Sequence, residues 1–290
     1  MDYTKPFRYI SEIAQCQSIS AAAEKLNIQQ PALSKYLKKV ENELNAELFD
    51  RSTSPIALTE AGRCYLSAAQ KVIDADNQLQ KQISEMQNND ITIRVGISPS
   101  RAPYLLPVIL NSFFTGEQHA HIAVFEGTTS ELNASLAQGN LDLTISLLED
   151  ETKDFEHVEL FRESVFLAVE NKHRDLSFKE AFDTLDIIAS GKGQLLTDLL
   201  DILPEHSSLI ECQNSITALQ LVRADLGAAL VPSYMADYGN TESISFIPLP
   251  EALIRSVQRT ICVFYRKEQF LSSAEREFIR CSVSATGMNK

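Results

Sequence analysis

Apolar positions recur first at helical and then at alternating spacing, and the period changes near residue 90. Phe7, Ile10 and Ile13-Ala14 share one face of a helix predicted over residues 4–15. A short second helix is predicted behind Ser20, its expected N-cap, running through Ala21-Ala22-Ala23 to Leu26. Asn27 suits a left-handed turn after it. In a third helix Leu33, Leu37, Val40 and Leu44 recur at spacings of four, three and four, which predicts one buried face. Pro31 lies near its start, where a missing N–H is harmless. The opposite face carries Ser34, Lys35, Lys38 and Lys39. Small residues at a helix crossing, followed by a basic second helix, form the pattern of a helix-turn-helix. Phe49–Leu58 then reads as a β-hairpin wing that turns at Ser52, Thr53, Ser54 and Pro55.

Thr59 is expected to cap a long helix reaching about Asn88. Tyr65, Val72, Leu79 and Met86 stand at seven-residue intervals, with Ala69, Ile73 and Ile83 alongside. A heptad seam requires a second helix, so this stretch predicts contact with another subunit. Asp76 and the alanines make that seam weak. The Asn88-Asn89-Asp90 cluster ends the helix.

Beyond it, strands alternate with helices. Strands are predicted at Ile91–Ile97, His121–Phe125, Leu141–Leu147, Val165–Val169, Ile187–Ala189, Ala228–Val231 and Ser256–Tyr265. Helices are predicted at Ala102–Phe114, Ser130–Ala137, Phe178–Thr184, Leu195–Ile202, Ser215–Ala224 and Ser272–Val283. Thr128 with Glu131, and Ser177 with Glu180, have capping-box spacing. The alternation implies two α/β lobes with mostly parallel sheets, the last helix returning to the first lobe.

Charge refines this division. The chain of 290 residues carries a net charge of −13, which at first sight argues against a nucleic-acid partner. Residues 1–63 hold eight basic and eight acidic side chains, so the whole excess lies in the remainder. Lys35, Lys38 and Lys39 therefore act locally, and an acidic remainder suppresses non-specific binding to DNA. No apolar run approaches the ~18 residues of a membrane span, and no signal-like segment opens the chain, so a cytoplasmic location is expected. The five cysteines, Cys16, Cys64, Cys212, Cys262 and Cys281, are scattered, which speaks against a zinc site or a disulfide framework.

The N-terminal run resembles the DNA-binding domain of LysR-type transcriptional regulators. The resemblance rests on Ala21-Ala22-Ala23, Gln30-Pro31-Ala32-Leu33-Ser34, Val40-Glu41-Asn42-Glu43-Leu44, Leu48-Phe49-Asp50-Arg51 and Leu58-Thr59-Glu60-Ala61-Gly62. Gln29 and Asn45 depart from the pattern, which usually has Ser or Thr and Gly there. Further on, Val222-Arg223-Ala224-Asp225-Leu226-Gly227 and Ala228-Ala229-Leu230-Val231-Pro232 are similar to the family's effector domain. The resemblance implies an α/β protein with an N-terminal winged helix-turn-helix over 1–58, a long linker helix and hinge over 59–90, and a two-lobed periplasmic-binding-protein-like effector domain over 91–290. Lobe I is expected at about 91–163 and 266–290, and lobe II at about 164–265. It further implies double-stranded DNA as partner, a homodimer or homotetramer, and RNA polymerase as another partner. Ser20, Gln29, Gln30, Pro31, Ser34, Lys35, Lys38 and Arg51 are the expected DNA contacts. A surface pair from Arg51 to Asp50 or Glu47 is the plainer alternative for that residue.

In open α/β sheets ligands bind beyond the carboxyl ends of strands, where helix N-termini offer free N–H groups. Ser98, Ser100, Arg101, Thr128, Thr129, Lys192, Asn214 and Ser215 fall in such segments, and together they suit a small anion. The plainer alternative makes Thr128 and Ser215 helix caps. No cofactor is expected, and no metal. No G-x-S-x-G, P-loop or H-E-x-x-H occurs, and the histidines lack ligand spacing, so catalysis has no support. The alternatives are a two-lobed binding protein or enzyme without a regulatory role, a vestigial cleft, and a thiol redox sensor based on Cys212 and Cys262.

Overall fold

The computed structural model describes residues 4–53, 55–87, 91–116, 120–149, 152–190, 209–212, 214–238, 242–251, 253, 258–267 and 269–287. The predicted Leu195–Ile202 helix lies outside the described residues. The chain divides into two compact units, Met1–Asn89 and Asp90–Lys290.

In the first unit, α1 (Lys5–Cys16), α2 (Ile19–Lys25) and α3 (Gln30–Leu44) enclose a core of Ile10, Ile13, Ala22, Ala23, Leu33, Leu37, Val40, Leu48 and Phe49. Ser18, not Ser20, caps α2. Its backbone is extended, as an N-cap requires, and its hydroxyl accepts from the Ala21 N–H at 3.3 Å. Ser20 lies inside the first turn. Asn27 and Asn45 both take the left-handed conformation at φ 52°, while Gln29 begins α3 without a side-chain cap. Leu44 departs from its expected burial and is exposed, because α3 ends there.

The wing consists of β1 (Phe49–Asp50) and β2 (Ala57–Leu58), paired antiparallel. The long α4 (Glu60–Met86) follows. Thr59 Oγ1 accepts from the Gly62 N–H at 3.0 Å and donates to the Glu47 carbonyl at 2.6 Å, which ties the start of α4 to the wing. The expected subunit seam is only partly available. Tyr65 stacks on Phe7 with ring centres 5.7 Å apart, and Ala69 is fully buried. Farther along, Val72, Leu79 and Met86 are 40%, 51% and 81% exposed.

The second unit holds two five-stranded sheets. The first has the order β4-β3-β5-β12-β6, from β3 (Ile91–Ile97), β4 (Ala120–Glu126), β5 (Leu143–Leu147), β6 (Phe155–Glu163) and β12 (Arg259–Arg266). The second has the order β11-β7-β10-β8-β9, from β7 (Val165–Glu170), β8 (Ile187–Ser190), β9 (Leu209–Cys212), β10 (Ala228–Pro232) and β11 (Ile244–Pro248). Helices α5 (Ala102–Phe114), α6 (Thr129–Ala137), α7 (Phe178–Thr184), α8 (Ser215–Arg223), α9 (Tyr234–Tyr238) and α10 (Ser273–Thr286) accompany them.

Two expectations are corrected here. The sheets are mixed: β12 runs antiparallel to β5 and β6, and β7 runs antiparallel to β10 and β11. The late strand β12 also belongs to the first sheet, so residues 259–265 lie in lobe I rather than lobe II. The physical reason is its pairing, since buried Ile261 and Val263 stand opposite Leu147 and Ile145 of β5. The last helix does return to lobe I, where Phe278 meets Phe113 of α5 edge-on.

Within lobe I, Arg94 holds the wholly buried Asp142 through Nε at 3.0 Å and Nη2 at 2.9 Å, clamping β3 to the entry of β5. In lobe II, Gly227 has φ 146°, and a Cβ there would stand 2.3 Å from the Asp186 carbonyl oxygen. That explains the glycine in the 222–227 motif. Asp225, at φ 58°, receives Lys172 and His173 from the other side of the turn.

Candidate nucleic-acid interface and ligand site

Of the expected DNA contacts, the structure brings Lys38 and Arg51 to one groove and Lys35 and Lys38 to another. Gln29, Gln30, Pro31, Lys35, Lys38 and Arg51 are exposed, and Ser34 is half-buried. Ser20 is exposed on α2. Lys38, Asn42, Asn45, Arg51 and Ser52 line a groove of about 670 Å³ between α3 and the wing base. Lys35, Lys38 and Lys39 line a neighbouring depression of about 410 Å³. Lys39 also pairs with Glu43 at 3.7 Å across one helical turn.

Arg51 is oriented by a residue that the sequence left in the background. Its Nη2 donates to Glu41 Oε2 at 2.6 Å, and the Leu48 N–H donates to Glu41 Oε1 at 2.9 Å. Glu41 is buried, so one carboxylate locks α3, the wing entry and Arg51 together. The surface pair to Asp50 or Glu47 does not form. Asp50 instead accepts from the Ser52 hydroxyl and N–H, which hold its carboxyl below the usual range. Glu41 lies on α3 and Arg51 follows β1, so no period within one element links them and pattern alone missed the pair.

In the second unit, Ser98, Ser100 and Arg101 follow β3 and lead into α5. Arg101 Nη1 donates to Ser98 Oγ at 3.2 Å, and Ser98 Oγ lies 3.3 Å from Ser100 Oγ. Two further residues complete the cluster and were not foreseen. Glu163 ends β6, and its Oε1 lies 3.6 Å from Arg101 Nη2. Tyr234 opens α9 in lobe II, where its phenol ring lies 5.8 Å, centre to centre, from that of Tyr104 on α5. Burial raises the Tyr234 phenol to about 12. Burial likewise raises the Glu163 carboxyl, against the pull of Arg101 and of Arg259, its cross-strand neighbour. Beside this cluster the β7–β10 pairing of lobe II is extended: the Ser164 N–H donates to Ser233 Oγ at 3.1 Å, and the Ser233 N–H to the Ser164 carbonyl at 2.9 Å.

The remaining candidates also sit at carboxyl edges of strands, although their side chains serve local structure. Thr128 follows β4, beside the end of β3. Its hydroxyl donates to Glu131 Oε2 at 2.8 Å and accepts from the Glu131 N–H at 3.3 Å, completing the capping box. The hydroxyl proton is therefore already used. Thr128→Ala is expected to lower stability by about 1 kcal/mol, read from the denaturation midpoint. Thr129 is the first residue of α6. Asn214 follows β9, and its Oδ1 accepts from the Thr217 N–H at 2.9 Å, with Ser215 next to it as the first residue of α8. Lys192 lies outside the described residues.

Neither thiol of the Cys212 and Cys262 alternative is activated. The Cys212 thiol donates to the Ala189 and Asn214 carbonyls, each at 3.4 Å, and burial raises it. Cys262 is wholly buried on β12, in the other sheet, and is pushed up to about 12. A redox nucleophile needs the opposite shift. Among the described residues no cluster of His, Cys, Asp or Glu is arranged to hold a metal, and no helix is long and apolar enough to cross a membrane.

A winged helix-turn-helix with a basic recognition helix, followed by a two-lobed α/β unit, defines a DNA-binding regulator that carries a ligand domain. The profile of the bacterial regulatory helix-turn-helix protein, lysR family, matches residues 5–63, and that of the LysR substrate binding domain matches residues 87–286. The chain belongs to the LysR family of transcriptional regulators. It is 27% identical over 277 residues to the HTH-type transcriptional regulator YbhD of Escherichia coli K12, covering 92% of this chain and 86% of that one. Its fold is similar to that of a full-length OxyR variant from Pseudomonas aeruginosa, at a TM-score of 0.70 and 24% identity, over 99% and 95% of the two chains. Full-length CbnR in complex with its target DNA has a TM-score of 0.61 at 19% identity, over 98% and 100% of the chains.

Proposed function

We propose that this regulator is controlled by a small anionic metabolite bound beside Arg101, between the two lobes of its effector domain. The observation that carries the reading is the placement of Arg101. A buried guanidinium with two serine hydroxyls stands at the carboxyl end of β3, where residues of both lobes meet. Ligand binding favours one arrangement of the lobes, and that preference changes how paired subunits present their recognition helices. Titration of the purified chain with a library of small acids, read as a thermal shift, tests this. At least one acid is expected to raise the midpoint, and Arg101→Met should remove the effect. A chain that answers no acid has a vestigial cleft.

On the DNA side, Gln30, Pro31 and Ser34 are assigned to base edges and sugar, and Lys35, Lys38 and Arg51 to bases or phosphates. The groove between α3 and the wing supports this, since Lys38 and Arg51 line it from opposite sides. Lys38→Ala is expected to weaken binding similarly across sequences and to flatten the salt slope by about one unit. An unchanged slope would remove Lys38 from the interface.

The protein is further assigned a homodimer or homotetramer in the cytoplasm, with α4 as one subunit contact and RNA polymerase as a further partner. The exposed Val72, Leu79, Ile83 and Met86 support the α4 contact. Val72→Asp combined with Leu79→Asp is expected to lower the association state, because two charges would enter an apolar seam. Unaltered sedimentation of the double variant would rule α4 out as the contact.

A further inference from the structure

Two buried polar atoms of the Arg101 cluster have no hydrogen-bond partner among the described residues: Arg101 Nε and Glu163 Oε2. Both side chains are at least nine-tenths buried, with residues 8% and 4% exposed. Their pairing is incomplete as well. The closest approach, Arg101 Nη2 to Glu163 Oε1 at 3.6 Å, is too long for a hydrogen bond. An unpaired donor and an unpaired acceptor buried side by side leave a strong demand for a group of each kind. Half-exposed Ser98 and Ser100 stand next to Arg101.

A plain carboxylate answers only half of this demand. It would accept from Arg101 and the serine hydroxyls, and with Glu163 ionised it would meet a second acceptor of like charge. A molecule with a donor close to its acid answers both. From these atoms we infer that the effector is a small acid bearing a hydroxyl or ammonium group beside its carboxylate. Its acid lies against Arg101 and the serines, and its donor on Glu163. Arg101 is then the partner of the acid, and Glu163 offers an acceptor to the hydroxyl or ammonium. The inference rests on the proposed effector site and adds the class of molecule that site accepts.

The test uses the full chain and a matched panel: unsubstituted straight-chain carboxylates of three to six carbons, their 2-hydroxy and 2-amino counterparts, and the corresponding amines. Binding is read by thermal shift and then by calorimetry. At least one substituted acid should bind, with its unsubstituted parent about tenfold weaker or worse, since a site built for a donor rejects analogues lacking it. Glu163→Gln should remove the preference for an ammonium and retain a hydroxyl, which the amide oxygen still accepts, so this variant separates amino from hydroxy acids. If parent acids bind as tightly as substituted ones, or if a preferred amino acid keeps its rank in Glu163→Gln, the inferred class is wrong while the effector site stands. If no member binds, or binding survives Arg101→Met, the effector site itself is misplaced. The wild-type ranking alone decides the question of class should Glu163→Gln not fold.

Discussion

Gly62→Ala is expected to disrupt the DNA-binding unit more than any other single methyl group added to it. A Cβ at residue 62 would stand 2.1 Å from the Leu48 carbonyl oxygen and 2.9 Å from Leu58 Cδ2. The first contact is with backbone, which cannot rotate away. That same carbonyl accepts from the Thr59 N–H at 3.1 Å, while Thr59 Oγ1 bonds to the Gly62 N–H and the Glu47 carbonyl. Two of these bonds hold Thr59 against the wing entry and the third caps α4 on it, and relief of the clash would break them. The expected loss is about 3 kcal/mol or more. For a unit of this size that is a fall in the midpoint on the order of 15 °C. Circular dichroism melting checks it, and an unchanged midpoint would show that the wing can shift outward at no cost. The Leu58-Thr59-Glu60-Ala61-Gly62 motif therefore has a steric reason: α4 starts on top of a backbone carbonyl.

The second large effect is expected from Glu41. Glu41→Ala leaves the Leu48 N–H without its acceptor and frees Arg51, so roughly 3 kcal/mol of stability should be lost. Glu41→Gln separates folding from function. The amide oxygen can still accept from Leu48, so the stability loss should be smaller, while Arg51 loses the charge that orients it. DNA affinity is then expected to fall by about tenfold in the Gln variant, with the fold retained. Denaturant melts and a binding isotherm at one fixed salt concentration check the pair of variants. Normal DNA affinity in the Gln variant would show that the placement of Arg51 does not depend on the carboxylate.

Local grammar carried much of the fold into the sequence. The strand Ile91–Ile97 and the helices Ala102–Phe114 and Phe178–Thr184 were readable to the residue, because alternation and capping boxes act within a few positions. Elements with weak local signals were missed. β6 (Phe155–Glu163) alternates imperfectly because its pairing with β12 shifts register between Ile261 and Cys262. β11 and α9 are five residues each, too short for a period to emerge. Ser20 was mistaken for the cap of α2 because Ser18 and Ser20 both precede the alanines, and only backbone conformation distinguishes them.

The ligand site was legible in the same partial way. Ser98, Ser100 and Arg101 could be named because the end of a strand followed by a helix is a sequence-local event. Thr128 and Asn214 carried the same signal and turned out to be occupied as caps, since a capping residue and an anion contact look alike in sequence. Glu163 and Tyr234 carried no signal. Glu163 meets Arg101 across a separation of 62 residues, and Tyr234 meets Tyr104 of α5 across 130.

The sequence by itself determined the helix-turn-helix, the heptad on α4, the two-lobed alternation and the glycine and asparagine turns, because each depends on spacing within one element. Tertiary structure alone decided which sheet receives β12, which carboxylate holds Arg51, and which residues surround Arg101. Those outcomes depend on segments brought together by burial. A buried charge is partnered by whatever the folded chain brings within about 4 Å, and no local period records that distance.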